Sequence, residues 1–351
     1  MKILSIETSC DETSCAIVVD GHKVLANVIA SQIDLHAKTG GVVPEVAARE
    51  HVLKIIPVLD ECLKIAGCWW DDIDAIAITK GPGLVSSLII GTETANVISF
   101  VKNKPMIPVQ HVIGHIYSNW LEITDEIEFP IIILTVSGGH NELILMNNHH
   151  DFEVLGETRD DAAGEAFDKV ARILGLGYPG GPVISKAAVN GDKEAFKFPR
   201  SYLEKGSLDF SFSGLKTSVL NEVKAYGAKH KISEVSEIPE KFKNDLAASF
   251  QEAVVEVLSD KLITAYKKYP KVRELHLSGG VSANTRLREV IQAKMPKNVK
   301  FRHPQSMIFC TDNAAMIAAA AYHLYKLAPK KFKAKTNITP TTSFEIEKFY
   351  A

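Results

Sequence analysis

The chain has 351 residues, 46% of them hydrophobic and 23% charged, and a formal net charge of −2, which is typical of a globular protein long enough for two domains or lobes. No apolar run is long enough to span a bilayer, and the charged Asp11 soon interrupts the apolar start, so we expect neither a membrane anchor nor a signal peptide. The five cysteines form no CxxC pair or regular framework, so we expect a reduced, cytoplasmic protein.

The first part of the chain predicts three strands and a helix. KILSIE and ETSCAIVV flank a polar turn, and the dipeptide Asp20-Gly21 is a hairpin signal before a third strand. A helical period follows, with Pro44 in the first turn of the helix and Gly67 as its stop.

A βαβ unit comes next. IDAIAIT (73–79) predicts a buried strand, LVSSLIIGTETANVISFV (84–101) a helix and MIPVQ (106–110) a second strand, which implies parallel strands and a right-handed crossover. Ligands of open α/β sheets bind at the carboxyl ends of strands, and His111 and His115 follow this strand directly.

The two histidines have two interpretations. They can bind a metal ion from one helical face, or they can be core histidines that share a face by chance, and with twelve histidines in the chain the spacing alone does not decide. Val112 stands where a zinc-protease helix carries its Glu, which argues against a peptidase. Their position at a strand end favours a site.

The second half repeats the pattern of the first. IIILTVSGGHNELILM (131–146) is again strand, polar turn and strand, which indicates a weak internal duplication and two α/β lobes with a cleft between them. Helices are predicted at 160–174, 181–189, 213–225 and about 239–268, then the strand ELHLSGG, the helix TRLREVIQAKM and an Ala-rich helix near 310–328. We expect a first lobe of residues 1–115, joined by residues 305–351, and a second lobe of residues 116–304 with helical insertions.

Three turns of small residues follow predicted strands, at 9–14, 137–140 and 278–284. Each alone is most simply an ordinary tight turn, but backbone N–H groups in such turns can bind phosphate oxygens, and three of them favour a nucleotide cleft. The chain contains neither GxxxxGK[ST] nor a GxGxxG after a strand, which argues against a P-loop NTPase and a dinucleotide enzyme.

Acidic residues at two helix starts have alternative roles. Asp160 and Asp161 are interpreted as caps or surface charges, whereas Asp168 lies on a helix with a buried face and needs a partner such as a ribose hydroxyl. Near the C-terminus, Thr311 or Asp312 can cap the Ala-rich helix, or Asp312 can be the third ligand beside two imidazoles.

Nine motifs together resemble one family. SIETSCDET, GGVVPEVAAREH, GPGL, VSGGH, DDAAGEAFDK, YPGGP, DFSFSGLKT, GGVSAN and CTDNAAMIA, spread from residue 1 to about 325, closely resemble the bacterial TsaD (formerly Gcp) family. The resemblance implies an α/β fold of two RNase H-like lobes, of the actin/Hsp70/sugar-kinase (ASKHA) superfamily. It also implies a metal-dependent acyltransferase that moves threonylcarbamoyl from threonylcarbamoyl-adenylate to the 6-amino group of the adenosine 3′ of the anticodon, in tRNAs reading A-starting codons, and releases AMP.

The resemblance also implies site residues. Its metal ligands correspond to His111, His115 and Asp312, usually with iron (Fe²⁺) and with zinc as an alternative. The positions that bind threonylcarbamoyl-adenylate, or ATP and AMP, correspond to Thr135, Val136, Ser137, Gly138, Gly139, Asp168, Gly181, Ser185 and Asn284. Asp11 and Glu12 match acidic residues near the reacting end, and His140 is a candidate neighbour of that end.

Several positions depart from the family's pattern. Gln110 stands where many bacterial members have a second adjacent His, Thr135 where archaeal relatives have a metal-contacting Tyr, and Ser185 where some members have a carboxylate. The tail after about residue 328 matches poorly, although its lysines, Lys330 among them, form a basic cluster that suits either a solvated tail or a phosphate backbone.

The expected partners are the tRNA substrate, an inactive paralogue subunit (TsaB-like) and a small ATPase (TsaE-like), with no membrane. Three other functions stay open at this point: a metallopeptidase, a small-molecule kinase of the same superfamily, and an inactive scaffold paralogue. The presence of all three metal-ligand positions argues against the scaffold.

Overall fold

The computed structural model describes residues 1–204 and 206–342, so the last part of the predicted C-terminal extension, 343–351, lies outside the described residues. Within the described chain the contacts between residues define two units. Unit 1 comprises residues 1–128, 146–153 and 303 onwards, and unit 2 comprises residues 129–145 and 154–302. The predicted lobe boundaries at 115/116 and 304/305 stay a prediction, and these units group residues 116–128 and 146–153 with unit 1.

Unit 1 is built on a mixed five-stranded sheet. Its strands are β1 (Lys2–Glu7), β2 (Glu12–Val19), β3 (Lys23–Ser31), β4 (Ala75–Gly81) and β5 (Met106–Gln110). Their order is β3-β2-β1-β4-β5, in which β1–β2 and β2–β3 are antiparallel and β1–β4 and β4–β5 are parallel. The predicted hairpins and βαβ unit are thereby confirmed.

Helices cover this sheet. They are α1 (Ile33–Ala37), α2 (Pro44–Ala66), α3 (Val85–Lys102), α4 (His111–Tyr117) and, from the end of the chain, α10 (Ala314–Leu327). Helix α2 begins at Pro44 and ends at Ala66, and the next residue, Gly67, has φ +60° and donates its N–H to carbonyls of the last turn, so it stops the helix as the sequence predicts. In α10 the residues from Ala314 to Ala321 are all buried, because small side chains let the helix lie close to the strands.

Unit 2 repeats the same sheet. Its strands are β6 (Ile131–Val136), β7 (Asn141–Asn148), β8 (Asp151–Glu157), β9 (Glu274–Ser278) and β10 (Lys300–Arg302). Their order is β10-β9-β6-β7-β8, with β6–β9 and β9–β10 parallel. Listed from the other edge the order is β8-β7-β6-β9-β10, in which the third, second, first, fourth and fifth strands of the unit follow one another as they do in unit 1. The predicted duplication is therefore confirmed.

The helices of unit 2 are α5 (Ala163–Leu174), α6 (Gly180–Ala188), α7 (Ser213–His230), α8 (Glu240–Lys268) and α9 (Thr285–Lys294). They match the predicted helices to within a few residues, except that α7 continues five residues further than expected, to His230. Helix α8 is buried along most of its length, and its Phe250 packs edge-on against Phe167 of α5 in the core. None of the described helices is both long and apolar enough to cross a membrane.

Candidate functional site

The two histidines lie on α4, where the chain leaves β5. Gln110 caps this helix, because its side-chain oxygen accepts a hydrogen bond from the N–H of Ile113 at 2.9 Å. The cap makes His111 the first helical residue, and four residues later His115 projects from the same face. Both side chains are buried, His115 almost completely.

The third side chain of this cluster comes from the other end of the sequence. Asn313 caps α10 by accepting a hydrogen bond from the N–H of Met316 at 3.1 Å, so the alternative in which Thr311 or Asp312 caps this helix is wrong, and the ligand interpretation of Asp312 stays. A Cβ on Gly114 would lie 2.7 Å from Cδ1 of Ile317, so α4 and α10 pack closely at this glycine.

His111, His115 and Asp312 form a compact set of possible metal ligands. Oδ1 of Asp312 lies 3.4 Å from Nε2 of His111 and 3.2 Å from Nε2 of His115, and one ligand atom from each residue lies within 4.8 Å of the others. The two imidazole rings are nearly perpendicular, with centroids 4.7 Å apart. The side chain of Asp312 is 22% exposed, so solvent or a substrate can reach the cluster.

Glu7 holds one of these imidazoles from behind. Its carboxylate is completely buried at the end of β1, and Oε2 lies 3.1 Å from Nδ1 of His111. Thr79 Oγ1 and the N–H of Ser9 donate hydrogen bonds to the same carboxylate. The hydroxyl of Ser9 also lies 3.1 Å from Nδ1 of His111. A carboxylate behind an imidazole fixes its tautomer and leaves Nε2 as a ligand.

The carboxylates of this cluster favour positive charge beside them. Burial works against charge on His111, but Asp312 and Glu7 outweigh it and raise the pKa of the imidazole well above its usual value. Burial likewise opposes charge on Asp312, yet His111 lowers the pKa of that carboxyl. Both ring nitrogens of His115 are buried without a hydrogen-bond partner among the described residues. Two imidazoles, one of them unsatisfied, and one carboxylate are the donor set of an iron or zinc site.

Both acidic residues lie in unit 1, where Asp11 belongs to the turn between β1 and β2 and Glu12 begins β2. Asp11 is buried, and Glu12 accepts a hydrogen bond from the hydroxyl of Ser31 at 3.1 Å. Burial, together with the charges of Asp11 and Asp312, raises the pKa of Glu12 well above its usual value. A carboxyl in these surroundings holds a proton more readily than an exposed one.

The residues predicted to bind a nucleotide all lie in unit 2, and most of them lie near the carboxyl ends of β6 and β9. Thr135 and Val136 are buried within β6, where the hydroxyl of Thr135 lies 2.9 Å from that of Ser278 on β9. Gly138 and Gly139 are exposed, with open space where a Cβ would stand.

The turn around Gly138 and Gly139 is closed by short bonds. The N–H of Ser137 donates to the carbonyl of His140 at 2.8 Å, and His140 itself is half-buried. The start of α5 packs on the same turn, because the N–H of Glu165 donates to the carbonyl of Gly138 at 2.9 Å. This turn therefore has a fixed conformation while its two glycines stay open to a ligand.

The turn after β9 approaches the end of β6. Gly279 has φ +82°, and a Cβ there would lie 2.4 Å from the carbonyl oxygen of Val136, so the close approach of the two strand ends requires glycine. Adjacent parallel strands end at one edge of a sheet, so the turns at 137–140 and 279–284 share that edge of unit 2.

Asp168 and its neighbours have defined partners. Oδ1 of Asp168 accepts a hydrogen bond from the N–H of Gly180 at 2.7 Å, which ties α5 to the start of α6. The predicted capping of α5 by Asp160 is wrong. Its carboxylate accepts hydrogen bonds from Ser213 at the start of α7 instead. Asp161 pairs with Lys169 and Lys216.

Ser185 and Asn284 meet in a small polar network. Asn284 caps α9 with its side-chain oxygen and donates its amide to the hydroxyl of Ser185, at 3.2 Å, and to Oε1 of Gln251, at 2.8 Å. Ser185 donates to the same oxygen of Gln251 at 2.9 Å. Gly181, also predicted to bind the nucleotide, is half-buried near the start of α6, with open space at its Cα.

The sequence reasoning missed Glu7, Ser9 and Gln251. Glu7 ends a strand whose residues 3–7 are all buried, immediately before a turn, and a carboxylate at the end of a mainly apolar strand is a signal for a buried group with a function. Gln251 lies inside a 29-residue helix, and nothing in the local pattern distinguishes it from a surface glutamine.

Comparison with known proteins assigns the chain to a family. The model of the family described as TsaD, tRNA N6-adenosine threonylcarbamoyltransferase, matches residues 23–319. A protein of that name from Thermomicrobium roseum is 51% identical over 340 residues, which cover 92% of this chain and 92% of the relative. Another, from Staphylococcus haemolyticus, is 50% identical over 345 residues, or 98% of this chain and 96% of the relative.

Solved structures at 15% identity share the fold. T. kodakarensis HypF aligns with a TM-score of 0.61 over 93% of this chain and 48% of that protein. Component A of the Acidaminococcus fermentans (R)-2-hydroxyglutaryl-CoA dehydratase aligns with a TM-score of 0.52 over 93% of this chain and 99% of that protein. Together with the two sheets, these likenesses confirm the predicted ASKHA fold class. Since half of its residues are shared with curated relatives over more than nine-tenths of both chains, this protein belongs to the tRNA N6-adenosine threonylcarbamoyltransferase (TsaD) family.

Proposed function

We propose that this chain transfers the threonylcarbamoyl group from threonylcarbamoyl-adenylate to the 6-amino group of the adenosine 3′ of the anticodon, in tRNAs reading A-starting codons. The products are N6-threonylcarbamoyladenosine in tRNA and AMP. Membership in the family supports the reaction class. The observation that carries it for this chain is the cluster of His111, His115 and Asp312, with Glu7 hydrogen-bonded behind His111.

These three side chains would hold one metal ion, iron (Fe²⁺) in the first place and zinc as the alternative. A bound ion would supply a Lewis acid and a template for the carbonyl or threonine end of the donor. The buried, unsatisfied nitrogens of His115 and the carboxylate of Asp312 support this assignment.

The nucleotide part of the donor is assigned to unit 2. Backbone N–H groups of the Ser137–Gly139 turn suit the phosphate, and Asp168, Gly181, Ser185 and Asn284 suit the nucleoside. In support, Gly138 and Gly139 are open, and the amide network around Asn284 presents polar groups. Thr135 and Val136 are buried, so they would hold β6 and its following turn in place rather than contact the nucleotide.

The chemical step is a single acyl transfer. The N6 atom of adenosine attacks the carbamoyl carbon of the donor, the bond from that carbon to the phosphate oxygen breaks, and AMP leaves with the electron pair. The N6 proton passes to a carboxylate, for which Asp11 and Glu12 are the candidates, with His140 as a neighbour of the reacting end. The raised pKa of Glu12 supports a group that takes up a proton.

The proposed partners are an inactive paralogue (TsaB-like) and a small ATPase (TsaE-like), and the proposed location is the cytoplasm. Large apolar side chains on neighbouring helices of unit 1 are strongly exposed, among them Leu53 at 64% on α2 and Phe100 at 63% on α3. Exposed apolar surface of this kind supports a protein partner, and we assign it to the paralogue. None of the five cysteines forms a disulfide within the described residues, which is consistent with a reducing compartment.

The test is a transfer assay with the purified chain, threonylcarbamoyl-adenylate and unmodified tRNA, with and without the partner subunits. Digested nucleosides are analysed by mass spectrometry, and bound metal is measured by elemental analysis. We expect threonylcarbamoyladenosine from the wild type, and loss of both metal and product in His111→Ala. The control, His230→Ala on the exposed end of α7, should keep both. Full transfer by a metal-free His111→Ala variant would refute the proposed role of the cluster.

A further inference from the structure

Five cations lie together at the amino ends of β9 and β10 in unit 2. We call this surface the basic edge, and its side chains, all of them exposed, are Lys267, Lys268, Lys271, Arg273 and Lys297. The first two end α8, the next two lie on the connection to β9, and the last precedes β10. The basic edge is therefore assembled from two chain segments that the parallel pairing of β9 and β10 brings side by side.

Acidic residues are absent from the segments that form the basic edge. Neither 261–273 nor 291–303 contains Asp or Glu, although the whole chain has a net charge of −2. Within the described residues, none of the five cations forms an ion pair, and Lys268 donates instead to the carbonyl of Gly206 at 2.7 Å. The neighbouring Lys294, by contrast, is paired with Asp260 at 2.7 Å. The nearest exposed acidic residues along the neighbouring segment are Asp125, Glu126 and Glu128, which precede Phe129. Like charges held close together on the two cationic segments repel one another, and a polyanion reduces that repulsion.

A cavity of about 470 Å³ opens at the basic edge. The residues that line it include Phe129, Tyr266, Lys271, Arg273 and Asn298. Aromatic rings stack on unpaired bases, amides read the base edge, and cations bind the adjoining phosphates. The cavity is thus of a composition that suits one unstacked nucleotide of a folded RNA.

The basic edge lies at the opposite end of the sheet from the turns of unit 2 that we assign to the adenylate. Strand β9 has five residues, Glu274–Ser278, so the two ends are separated by about 17 Å along the strand. This distance is a few phosphate spacings of an RNA strand, so one tRNA is large enough to contact the basic edge with a region other than its modified adenosine.

We propose that the basic edge binds the phosphate backbone of the tRNA substrate, outside the modified adenosine, and takes one unstacked nucleotide into the cavity. This inference rests on the proposed function, which makes tRNA the substrate. A membrane surface is the less suitable partner, because Phe129 and Tyr266 line a cavity and are half-buried, whereas membrane-binding helices present protruding apolar side chains.

The experiment compares two double variants of the full chain with the same change of charge. K271E/R273E alters the basic edge, and K224E/K229E alters exposed lysines on α7 of the same unit. The Kd for unmodified tRNA is measured by fluorescence anisotropy between 50 and 200 mM salt. We expect K271E/R273E to weaken binding at least about tenfold and to reduce the slope of log Kd against log salt by about two, one for each lost phosphate contact. The control should change the Kd less than about threefold.

A milder variant tests whether weaker binding results from lost charge rather than from misfolding. K267A/K297A removes two cations at exposed positions and should weaken tRNA binding in the same direction with an unchanged melting temperature. Equal effects of the two charge-reversal variants, or wild-type affinity in K271E/R273E, would overturn the proposal. The proposal would also be overturned if K271E/R273E lost binding to vesicles of anionic lipid while its binding to tRNA stayed unchanged.

The transfer assay separates the two proposals. If the wild type modifies tRNA and K271E/R273E has the wild-type KM for tRNA, then the basic edge has no role in substrate binding and only this inference fails. If the wild type binds tRNA through the basic edge but yields no threonylcarbamoyladenosine, then the proposed reaction fails and the RNA-binding surface stands.

Discussion

Glu7 shows how one residue can organise a site without belonging to its ligand set. Its carboxylate is buried and remains charged, because His111 lowers its pKa against the opposing effect of burial. Two further donors, Thr79 and the N–H of Ser9, fix its orientation. The imidazole of His111 is consequently held between Glu7 on one side and Asp312 on the other.

We predict that Glu7→Gln lowers metal affinity about 10- to 100-fold, the usual cost of removing the carboxylate behind a metal-bound imidazole. The amide keeps the size of the side chain but loses its charge, and it presents an N–H group where His111 needs an acceptor. The measurement is a chelator-competition titration with Fe²⁺ or Zn²⁺, which needs no activity. Glu45→Gln, at an exposed position of α2, is the control. Equal affinities in the two variants would show that Glu7 has only a packing role.

At the scale of elements, a cluster of histidines packs residues 146–153 against α10 within unit 1. The ring of His149 stacks on that of His323 in α10, with centroids 3.9 Å apart, and its Nδ1 lies 3.1 Å from the hydroxyl of Tyr117. His150 reaches the carbonyl of Ala320 in α10 at 3.2 Å. Burial lowers the pKa of His149 to about 4, of His150 to about 3 and of His323 to about 2.

These shifts predict that the protein loses stability in mild acid. Below about pH 6.5 the three histidines of the unfolded chain take up protons that the folded chain excludes, so the free energy of unfolding falls as the pH drops from 7 towards 4. Urea midpoints measured at pH 7.5, 6 and 5 test this. His323→Phe, which keeps an aromatic ring in the stack, should reduce the pH dependence, whereas His230→Phe on the exposed end of α7 should not. Parallel curves for all three proteins would contradict the assignment.

At the scale of the whole molecule, the exposed apolar face of α2 and α3 is the strongest sign of a partner. Leu53 and Ile56 on α2, and Val97, Phe100 and Val101 on α3, are each about 60% exposed or more. Monomeric proteins seldom leave such a face uncovered.

We predict that Phe100→Glu prevents assembly with the paralogue subunit, because a carboxylate would have to be buried in an apolar interface. The mass of the mixed complex in analytical ultracentrifugation is the measurement, and Val189→Glu, at an 82% exposed position of unit 2, is the matched control. If Phe100→Glu still forms the complex with wild-type affinity, then the paralogue does not bind this face.

The local pattern predicted the elements well, and its errors have local causes. Helix α2 begins at Pro44 and ends before Gly67 because both residues favour those backbone conformations in any context. The capping assignments failed where several polar residues stood together. Asn313 rather than Thr311 or Asp312 caps α10, and Asp160 bonds to the start of α7, since the choice among neighbouring side chains depends on what packs against them.

The sequence by itself determined the strands, helices and turns of the two repeated sheets, and its motifs identified the family, because periodicity and turn chemistry act over a few residues. Only the tertiary structure decided which side chains meet. Asp312 reaches His111 and His115 across about two hundred residues, through the packing of α10 on α4 at Gly114. Glu7 reaches His111, and five cations gather at the ends of β9 and β10, because strand pairing joins distant segments at distances that no local pattern encodes.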